Sequence, residues 1–325
     1  MRDEIWILSD NRAGTVSQAI GLAKKLNYPY KIIDLEYSFL AKFPNFIFSD
    51  SLIRLSKKNR LELKNYSNFP KIIISAGRRT APIALALKKL SLNQTKIIQI
   101  MNPNLNFKKF DFVILPKHDG FDEKKYPNLI TTIGALNKVD QEIIEIEKEK
   151  FSQEFANLSK IKIALMLGGS SNKSEFDRKS AKKLAKICSK IAKNMNAILI
   201  ILNSRRTGDE ITDIVKSSLD CDFKFFNWKD CAQNNPYLAI LGFSDFFIVT
   251  GDSVSMICEC CFTEKPVYIF DEKNISTKKH RIFHQNLIAK NYAKKLKANS
   301  ENLEIFYPQK LEETKRVAKL INDKF

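Results

Sequence analysis

The 325-residue sequence contains no long hydrophobic run. A helix that spans a bilayer needs about 20 consecutive, mainly apolar residues, and no segment approaches that length. The first ten residues, MRDEIWILSD, carry acidic side chains where a secretory signal needs a basic and then an apolar segment. From these two absences we expect a cytoplasmic protein.

Residue types that bind metals are also sparse. The chain has six cysteines and only three histidines. The cysteines are scattered or adjacent, without the spacing of metal ligands; they are Cys188, Cys221, Cys231, Cys258, Cys260 and Cys261. No Asp-x-Asp motif ends a predicted strand. The sequence therefore predicts reduced thiols, most of them packing residues, and no metal site.

Acidic residues are outnumbered by basic ones. The chain has 54 Lys and Arg but only 36 Asp and Glu, which gives a formal net charge of +18. Such a surplus favours an anionic membrane surface, at about 1 kcal/mol per basic group near the leaflet. A biased composition, rich throughout in Lys, Asn, Ile and Phe, is the alternative explanation. No arginine-rich arm, zinc finger or aromatic-basic platform is found, so we expect peripheral contact with the inner membrane and no nucleic-acid partner.

Strand-length apolar segments alternate with helix-length segments in both halves of the chain. This alternation predicts an α/β fold with two Rossmann-like domains, and the length suffices for two cores. We expect an N-terminal domain over 1–137, an acid-rich linker helix over 138–160, a second domain over 161–308, and a C-terminal helix over 309–325 that packs back on the first domain.

The most informative stretch runs from Ile248 to Phe270. An apolar strand ends at a polar turn, and a helix-length segment and a second apolar run follow; the turn consists of Thr250, Gly251, Asp252 and Ser253. Unpaired N–H groups at a helix start favour an anion. The stretch therefore predicts a phosphate or diphosphate site, with Glu259 two turns into the helix as a second contact. A plain turn with a helix cap gives the same pattern.

Polar loops follow two other predicted strands of the second half. The first loop contains Gly168, Gly169, Ser170 and Ser171, and the second contains Arg205, Arg206 and Thr207. Adjacent glycines let the backbone approach a phosphate closely. The first loop is neither a Walker loop nor a G-x-G-x-x-G loop.

Loops of the first half carry arginines. Asp10, Asn11, Arg12 and Gly14 follow the first strand, and Gly77, Arg78, Arg79 and Thr80 follow the third. An arginine pair at a helix start is typical of an anion clamp, because the guanidinium groups reinforce the backbone donors. Surface ion pairs are the alternative.

Between these two loops, the segment 39–69 contains Phe39, Phe43, Phe46 and Phe48 among basic residues. It predicts either a packed insertion or a surface that contacts a lipid acceptor.

A loop histidine and aspartate follow the fifth strand of the first half. His118 and Asp119 are expected at the same edge of the sheet as the arginine pair, where parallel sheets bind ligands. A histidine beside an aspartate suits a base or a substrate contact, and a turn role is the alternative.

Six segments together carry a family resemblance. In chain order they read SAGRRTAP from Ser75, PKHD from Pro116, LGG from Leu167, SRRT from Ser204, NPY from Asn235 and VTGDSVSM from Val249. They resemble the ELM family, which is named after a plant mitochondrial fission factor, over nearly the whole chain. Bacterial members of that family resemble glycosyltransferases of the GT-B fold. Its plant members recruit a dynamin-like GTPase to the mitochondrial outer membrane, and nothing in these segments encodes that role.

The resemblance implies two Rossmann-like domains facing across a cleft, with a nucleotide-sugar donor held mainly by the second and an acceptor by the first. It implies that the diphosphate contacts Gly169, Ser170, Ser253, Val254 and Ser255. Arg205 would neutralise the leaving group, Glu259 would bind the ribose, and no metal or cofactor would be needed. The same donor site is expected to include Gly168, Ser171, Arg206, Thr250, Gly251 and Asp252.

Three residues are candidates for the catalytic base: His118, Asp119 and Asp10. We rank His118 with Asp119 first. The acceptor region is expected to contain Asn11, Arg12, Gly14, Gly77, Arg78, Arg79 and Thr80, and the acceptor to be a lipid or a cell-envelope glycan. A non-catalytic adaptor of the fission type and a nucleotide-sugar epimerase, which needs no acceptor, are the alternatives.

Overall fold

A computed structural model describes residues 2–158, 160–230 and 234–324. They form two compact units, Met1–Lys138 with Glu312–Phe325, and Val139–Leu311. Each unit contains a parallel six-stranded sheet. The structure therefore confirms the predicted fold class of two Rossmann-like α/β domains.

The first unit alternates strands and α-helices through its first four strands, and short 3₁₀ helices precede its last two strands. Its elements are β1 (Arg2–Ser9), α1 (Ala13–Leu26), β2 (Tyr30–Asp34), α2 (Lys57–Lys64), β3 (Pro70–Ala76), α3 (Ala81–Leu90), β4 (Lys96–Ile100), β5 (Phe112–Pro116) and β6 (Leu129–Thr132).

The second unit begins with two helices and then alternates in the same way. Its elements are α4 (Gln141–Lys150), α5 (Ser152–Phe155), β7 (Ile161–Met166), α6 (Arg178–Asn194), β8 (Ala197–Leu202), α7 (Asp209–Ser218), β9 (Phe223–Phe226), α8 (Tyr237–Phe243), β10 (Phe246–Thr250), α9 (Val254–Cys261), β11 (Val267–Phe270), α10 (Lys278–Ala289) and β12 (Lys294–Lys295). The last helix of the chain is α11 (Glu313–Asn322).

The strand orders create one switch point in each sheet. The orders are β2-β1-β3-β4-β5-β6 and β12-β11-β10-β7-β8-β9. In the first sheet the chain leaves β1 in one direction to β2 and then crosses to β3 on the other side. In the second sheet it leaves β7 towards β8 and later returns to β10. Loops at the carboxyl ends of such neighbouring strands diverge and leave a crevice, so β1 with β3 and β7 with β10 flank the positions where ligands bind in this kind of sheet.

The strands are rich in β-branched residues that are buried on both faces. In β3, Ile72, Ile73 and Ile74 are fully buried, as expected for a parallel sheet covered by helices on both sides. Among the described residues, no helix is both long and apolar enough to cross a membrane.

The final helix belongs to the first unit. Val317, Ala318 and Ile321 of α11 pack in the core cluster that contains residues of β1 and α1. The Glu313 carboxylate accepts a hydrogen bond from the Ile133 N–H at 2.9 Å, which anchors the start of α11 beside the end of β6.

The single linker helix expected over 138–160 is replaced by two helices that belong to the second unit. Phe151, at the junction of α4 and α5, is buried, and Phe155 stacks on Phe226 and Phe243 with ring centroids 5.9 and 4.5 Å apart. These aromatic anchors bring the chain into the core of the unit, so a straight solvent-exposed helix does not form.

Gly21 lies where α1 packs against the main chain of Asn137. A Cβ at Gly21 would lie 2.1 Å from the Asn137 carbonyl oxygen. Gly21→Ala is therefore expected to destabilise the protein by about 1–3 kcal/mol in urea unfolding, because the helix must move away. Gly14→Ala is the matched control in the same helix, where a Cβ meets no atom within 4 Å. It is expected to be neutral or to stabilise by up to about 1 kcal/mol, since alanine favours helix. Equal effects of the two changes would contradict the packing argument.

Candidate functional site

Three loops of the second unit meet at the carboxyl edge of its sheet. They follow β7, β8 and β10, and β7 lies between the other two strands in the sheet. The switch point lies between β7 and β10. These loops contain the residues that the sequence motifs assigned to the donor site, except for those on α9.

A buried carboxylate, Asp252, joins the three loops. Its side chain is 1% exposed. Oδ2 accepts hydrogen bonds from the Gly169 N–H at 2.8 Å and from Arg206 Nη2 at 3.0 Å, and Oδ1 accepts one from Thr250 Oγ1 at 2.7 Å. Burial raises the pKa of the Asp252 carboxyl above its ordinary value, although the hydrogen bonds from Gly169 and Thr250 and the Arg206 charge oppose this rise.

The main chain of Gly168 is satisfied by protein groups as well. Its N–H donates to Thr250 Oγ1 at 2.8 Å, and its carbonyl accepts from Ser204 Oγ at 2.9 Å. Glycine is required here because a Cβ at Gly168 would lie 2.3 Å from a carboxylate oxygen of Asp252. At Gly169 a Cβ would lie 2.1 Å from the Arg206 carbonyl.

The structure gives the two glycines a different part from the one that the sequence indicated. We expected Gly168 and Gly169 to open the backbone to a phosphate, but their N–H groups bind Thr250 and Asp252. The Ser170 N–H donates to the Arg206 carbonyl at 3.1 Å, and Ser170 Oγ accepts from the Phe176 N–H at 3.0 Å. Ser171 Oγ lies 2.8 Å from Ser174 Oγ. These hydrogen bonds make the groups part of the framework of the edge.

The start of α9 keeps its donors. The first hydrogen bond of this helix runs from the Ile257 N–H to the Ser253 carbonyl at 3.1 Å. The N–H groups of Val254 and Ser255 come before this bond and have no acceptor among the described residues. Ser253 makes no side-chain capping bond with the described residues. The side chains of Val254 and Ser255 are partly exposed. This helix start, which follows β10 directly, has the donors and the dipole that an anion requires.

The two neighbouring arginines after β8 differ in their contacts with the rest of the protein. Arg206 pairs with Asp252, whereas Arg205 is exposed and makes no hydrogen bond or ion pair with the described part of the chain. Arg205 is therefore the member of the pair that a ligand can bind.

Glu259 is held by a tyrosine from α8. The Tyr237 hydroxyl donates to Glu259 Oε2. Burial and the adjacent Glu259 charge raise the pKa of Tyr237 well above its ordinary value, so the hydroxyl stays protonated as a donor. This hydrogen bond fixes the orientation of the Glu259 carboxylate beside the start of α8.

Two histidines of α10 lie at this edge, and the sequence motifs did not indicate them. His284 is buried, and its Nε2 lies 2.9 Å from the Gly251 carbonyl oxygen. Because a carbonyl only accepts, Nε2 carries the proton. Nδ1 lies 3.7 Å from Asp271 Oδ2; although burial acts in the other direction, this neighbour helps to hold the pKa of the Asp271 carboxyl below its ordinary value. The available signal was the i, i+4 pair of histidines, His280 and His284, on the helix after β11.

His280 closes the start of α10. Its Nδ1 accepts from the Thr277 N–H at 3.4 Å, and its own N–H donates to Thr277 Oγ1 at 3.3 Å, which makes a capping box. Burial, followed by the neighbouring His284, lowers the pKa of His280 below its ordinary value.

In the first unit, Asp10 is paired inside its own loop. It accepts hydrogen bonds from Arg12 Nε at 2.6 Å and from Thr15 Oγ1 at 2.8 Å. Thr80 turns inward, where its hydroxyl donates to the Ala76 carbonyl at 3.0 Å. Asn11 and Gly14 are exposed.

The three base candidates do not form one cluster. His118 and Asp119 lie in a short 3₁₀ helix, Lys117–Asp119, after β5. In the sheet, β3 and β4 separate β5 from β1, the strand that Asp10 follows. Three strand spacings correspond to about 14 Å. Asp10 and the His118–Asp119 pair therefore belong to different parts of the edge.

The cysteines that the structure describes are free thiols. Among the described residues no group of three or more His, Cys, Asp or Glu side chains is arranged to hold a metal ion. Cys188, Cys258, Cys260 and Cys261 are buried and free, Cys221 is free and half-buried, and Cys231 lies outside the described residues.

The two parallel sheets and their switch-point loops define a class of protein, the two-domain glycosyltransferase and epimerase fold called GT-B. The UDP-GlcNAc 2-epimerase from Methanocaldococcus jannaschii is similar over 98% of this chain and 99% of that chain, with a TM-score of 0.59 and 12% identity. A structure of that epimerase in complex with UDP-GlcNAc and UDP gives a TM-score of 0.55 over the same shares, also at 12% identity. The ADP-heptose lps heptosyltransferase II of E. coli gives a TM-score of 0.50 at 10% identity over 98% of both chains. At these identities the similarity shows the fold.

The chain belongs to the family described as mitochondrial fission ELM1, whose sequence profile matches residues 13–325, and this confirms the resemblance. The uncharacterized protein RP120 of Rickettsia prowazekii (strain Madrid E) is 31% identical over 98% of this chain and 97% of its own length. The mitochondrial fission protein ELM1 of Arabidopsis thaliana is 28% identical over 62% of this chain and 51% of its own length.

Removal of the Asp252 carboxylate tests its role in joining the loops. Asp252→Ala leaves the buried Gly169 N–H and Thr250 hydroxyl without their acceptor, so we expect a loss of roughly 2–3 kcal/mol in the free energy of unfolding. Asp209→Ala, at an exposed aspartate paired with Lys229, is the control and is expected to cost less than about 1 kcal/mol. Urea unfolding measures both, and similar losses would contradict the joining role of Asp252.

The lowered pKa of His280 predicts a pH dependence of stability. A histidine whose pKa is lower in the folded than in the unfolded state destabilises the fold as the pH falls below the unfolded value, near 6.5. We expect the free energy of unfolding to fall between pH 7.5 and pH 5.5 more steeply for the wild type than for His280→Gln. Glutamine cannot titrate and still accepts the capping hydrogen bond from the Thr277 N–H. Parallel stability curves for the two proteins would overturn this assignment.

Proposed function

We propose that the protein is a metal-independent glycosyltransferase that moves a sugar from a nucleotide-sugar donor to a lipid or cell-envelope glycan acceptor at the cytoplasmic face of the inner membrane. The observation that carries the proposal is the open start of α9 at the switch point of the second sheet. Buried Asp252 fixes the loops around this helix start. The N–H donors in the first turn of α9 remain available to an anion.

In this proposal the donor diphosphate binds at the start of α9. The N–H groups of Val254 and Ser255 donate to phosphate oxygens, and the positive end of the helix dipole favours their charge. The exposed guanidinium of Arg205 balances the negative charge that develops on the leaving group, which is the part that a metal ion plays in other enzymes. Each of these groups stabilises more charge in the transition state than in the bound donor.

The ribose is assigned to Glu259. A carboxylate accepts hydrogen bonds from two vicinal hydroxyl groups, and the hydrogen bond from Tyr237 fixes the orientation of this one. The epimerase structure with UDP-GlcNAc and UDP supports a nucleotide-sugar ligand at the level of the fold.

For the base, the pairing of Asp10 favours the other candidates. Its carboxylate already accepts hydrogen bonds from Arg12 and Thr15, so its oxygens are engaged within the first unit. We therefore retain His118 with Asp119 as the group that removes the proton from the acceptor hydroxyl. The net charge of +18 supports contact with an anionic membrane surface.

The first experiment is calorimetric binding of a panel of nucleoside diphosphates and nucleotide sugars. We expect micromolar binding of one nucleotide by the wild type. Arg205→Gln is expected to weaken it by about 10- to 100-fold, because a charge-assisted hydrogen bond is lost. Glu259→Gln retains an acceptor for the Tyr237 hydroxyl but loses the negative charge. It should therefore weaken the binding of nucleotides and leave the binding of inorganic pyrophosphate unchanged. Lys186→Gln, at an exposed lysine in the middle of α6, is the charge control.

The outcomes separate three classes of protein. Absence of binding to every nucleotide, with a folded protein, would contradict the proposal and favour the adaptor. Release of an altered nucleotide sugar without any acceptor would identify an epimerase. If Arg205→Gln and Lys186→Gln weaken nucleotide binding equally, the donor site does not lie at the start of α9.

A further inference from the structure

Three arginines from two loops lie at the switch point of the first sheet. Arg12 follows β1, and Arg78 and Arg79 follow β3, its neighbour in the sheet. Arg12 Nη2 lies 3.8 Å from the position that a Cβ on Gly77 would occupy, so the Arg12 guanidinium lies against the loop that carries the other two arginines.

Most of the donors of these arginines are uncommitted. Arg79 stacks on the ring of Tyr37, with its guanidinium carbon 4.1 Å from the ring centroid, and makes no hydrogen bond or ion pair with the described residues. Arg12 is 51% exposed and uses Nε and Nη2 for Asp10. Arg78 donates from Nη1 to the Phe43 carbonyl at 3.4 Å. Within the described chain, Asp10 is the carboxylate that pairs with one of these three arginines.

The Tyr37 hydroxyl is a second, independent sign of a ligand. It is buried and has no hydrogen-bond partner in the described part of the chain. Burial, followed by the charge of Asp10, raises the pKa of Tyr37, so the hydroxyl remains a donor without an acceptor. Buried donors are almost always paired in folded proteins. An oxygen of an anion would supply an acceptor for this hydroxyl and would also balance the charge of the neighbouring arginines.

Two helix starts point at the same edge. The residues that precede α1 and α3 are Arg12 and Thr80, and neither makes a side-chain capping bond with the described residues. Their first-turn N–H groups and dipoles add to the positive potential of the three arginines.

A segment with exposed phenylalanines is anchored beside this cluster. Phe39 and Phe46 are 72% and 77% exposed, so packing inside the protein does not account for them. Asn45 Nδ2 donates to the Arg78 carbonyl at 2.7 Å, and buried Arg54 donates to the Phe43 carbonyl at 3.1 Å. These bonds hold the aromatic segment next to the loop that follows β3.

We propose that Arg12, Tyr37, Arg78 and Arg79 form a binding site for a phosphate group, and that this group belongs to an amphiphile whose apolar chain lies on Phe39, Phe43 and Phe46. Guanidinium groups bind phosphate oxygens through paired N–H donors, and the phenol supplies one further donor. The role of this amphiphile as the sugar acceptor rests on the proposed function, whereas the phosphate site does not.

The test compares octyl phosphate, below its micelle concentration, with inorganic phosphate by calorimetry. Arg79→Gln is expected to weaken both ligands by about 10- to 100-fold. Lys24→Gln removes the same charge from an exposed residue at the other end of α1, and it should change both affinities less than about twofold. Equal effects of Arg79→Gln and Lys24→Gln would overturn the site.

Tyr37→Phe separates binding from folding. Because the hydroxyl has no hydrogen-bond partner among the residues that the structure describes, its removal should leave the Tm unchanged or higher, while the affinity for phosphate falls by about 2- to 10-fold. A lower Tm with unchanged affinity would show that the hydroxyl is structural and would remove it from the site.

Phe46→Ser tests the apolar part, since this side chain is exposed and its change does not threaten the fold. It should weaken octyl phosphate about tenfold or more and leave inorganic phosphate unchanged. If the wild type binds octyl phosphate and inorganic phosphate equally, the proposal of an amphiphilic ligand is wrong and the site binds free phosphate. Arg205→Gln should change nucleotide binding and not octyl phosphate binding, so failure of this site and failure of the proposed donor site are told apart.

Discussion

The edge of the second sheet depends on one buried carboxylate. An ionised group removed from water costs several kcal/mol unless it is paired and hydrogen-bonded. Asp252 meets this requirement with donors from three loops, and the same contacts determine where those loops lie. The position of α9, which begins two residues later, follows from them. The cost of burial is still visible in the raised pKa of Asp252.

In the first sheet a carboxylate is also paired with an arginine, but the arginine comes from the same loop. Asp10 also follows a strand that flanks the switch point, and it also pairs with an arginine, but Arg12 is only two residues away. In the second unit the partner, Arg206, comes from another loop. This difference decides which arginines are left for ligands. In the first unit Arg79 remains uncommitted together with much of Arg78, and in the second unit the uncommitted arginine is Arg205.

The sequence motifs pointed to loops that the structure brings to the carboxyl edges of the sheets, and the hydrogen bonds within these loops differ from the expected ones. Gly168 and Gly169 were expected to face a phosphate because glycine permits close approach of the backbone, and in the structure the close approach is that of Asp252 and Arg206. His284 was missed because nothing near it in the sequence shows that it contacts Gly251, 33 residues earlier. The contact of Tyr37 with Arg79, 42 residues later, likewise has no local signal in the sequence.

The sequence by itself determined the fold class, the order of the elements and the family, because the spacing of apolar residues and the turn motifs are local properties of the chain. Strands followed by polar loops also had to bring those loops to one edge of each parallel sheet. The tertiary structure decided which polar groups remain available, since hydrogen bonds between distant residues use some and leave others. Gly169 and Asp252, 83 residues apart, show this most clearly. Whether the N–H of a glycine binds a ligand or a carboxylate of the same chain depends on packing that no local pattern contains.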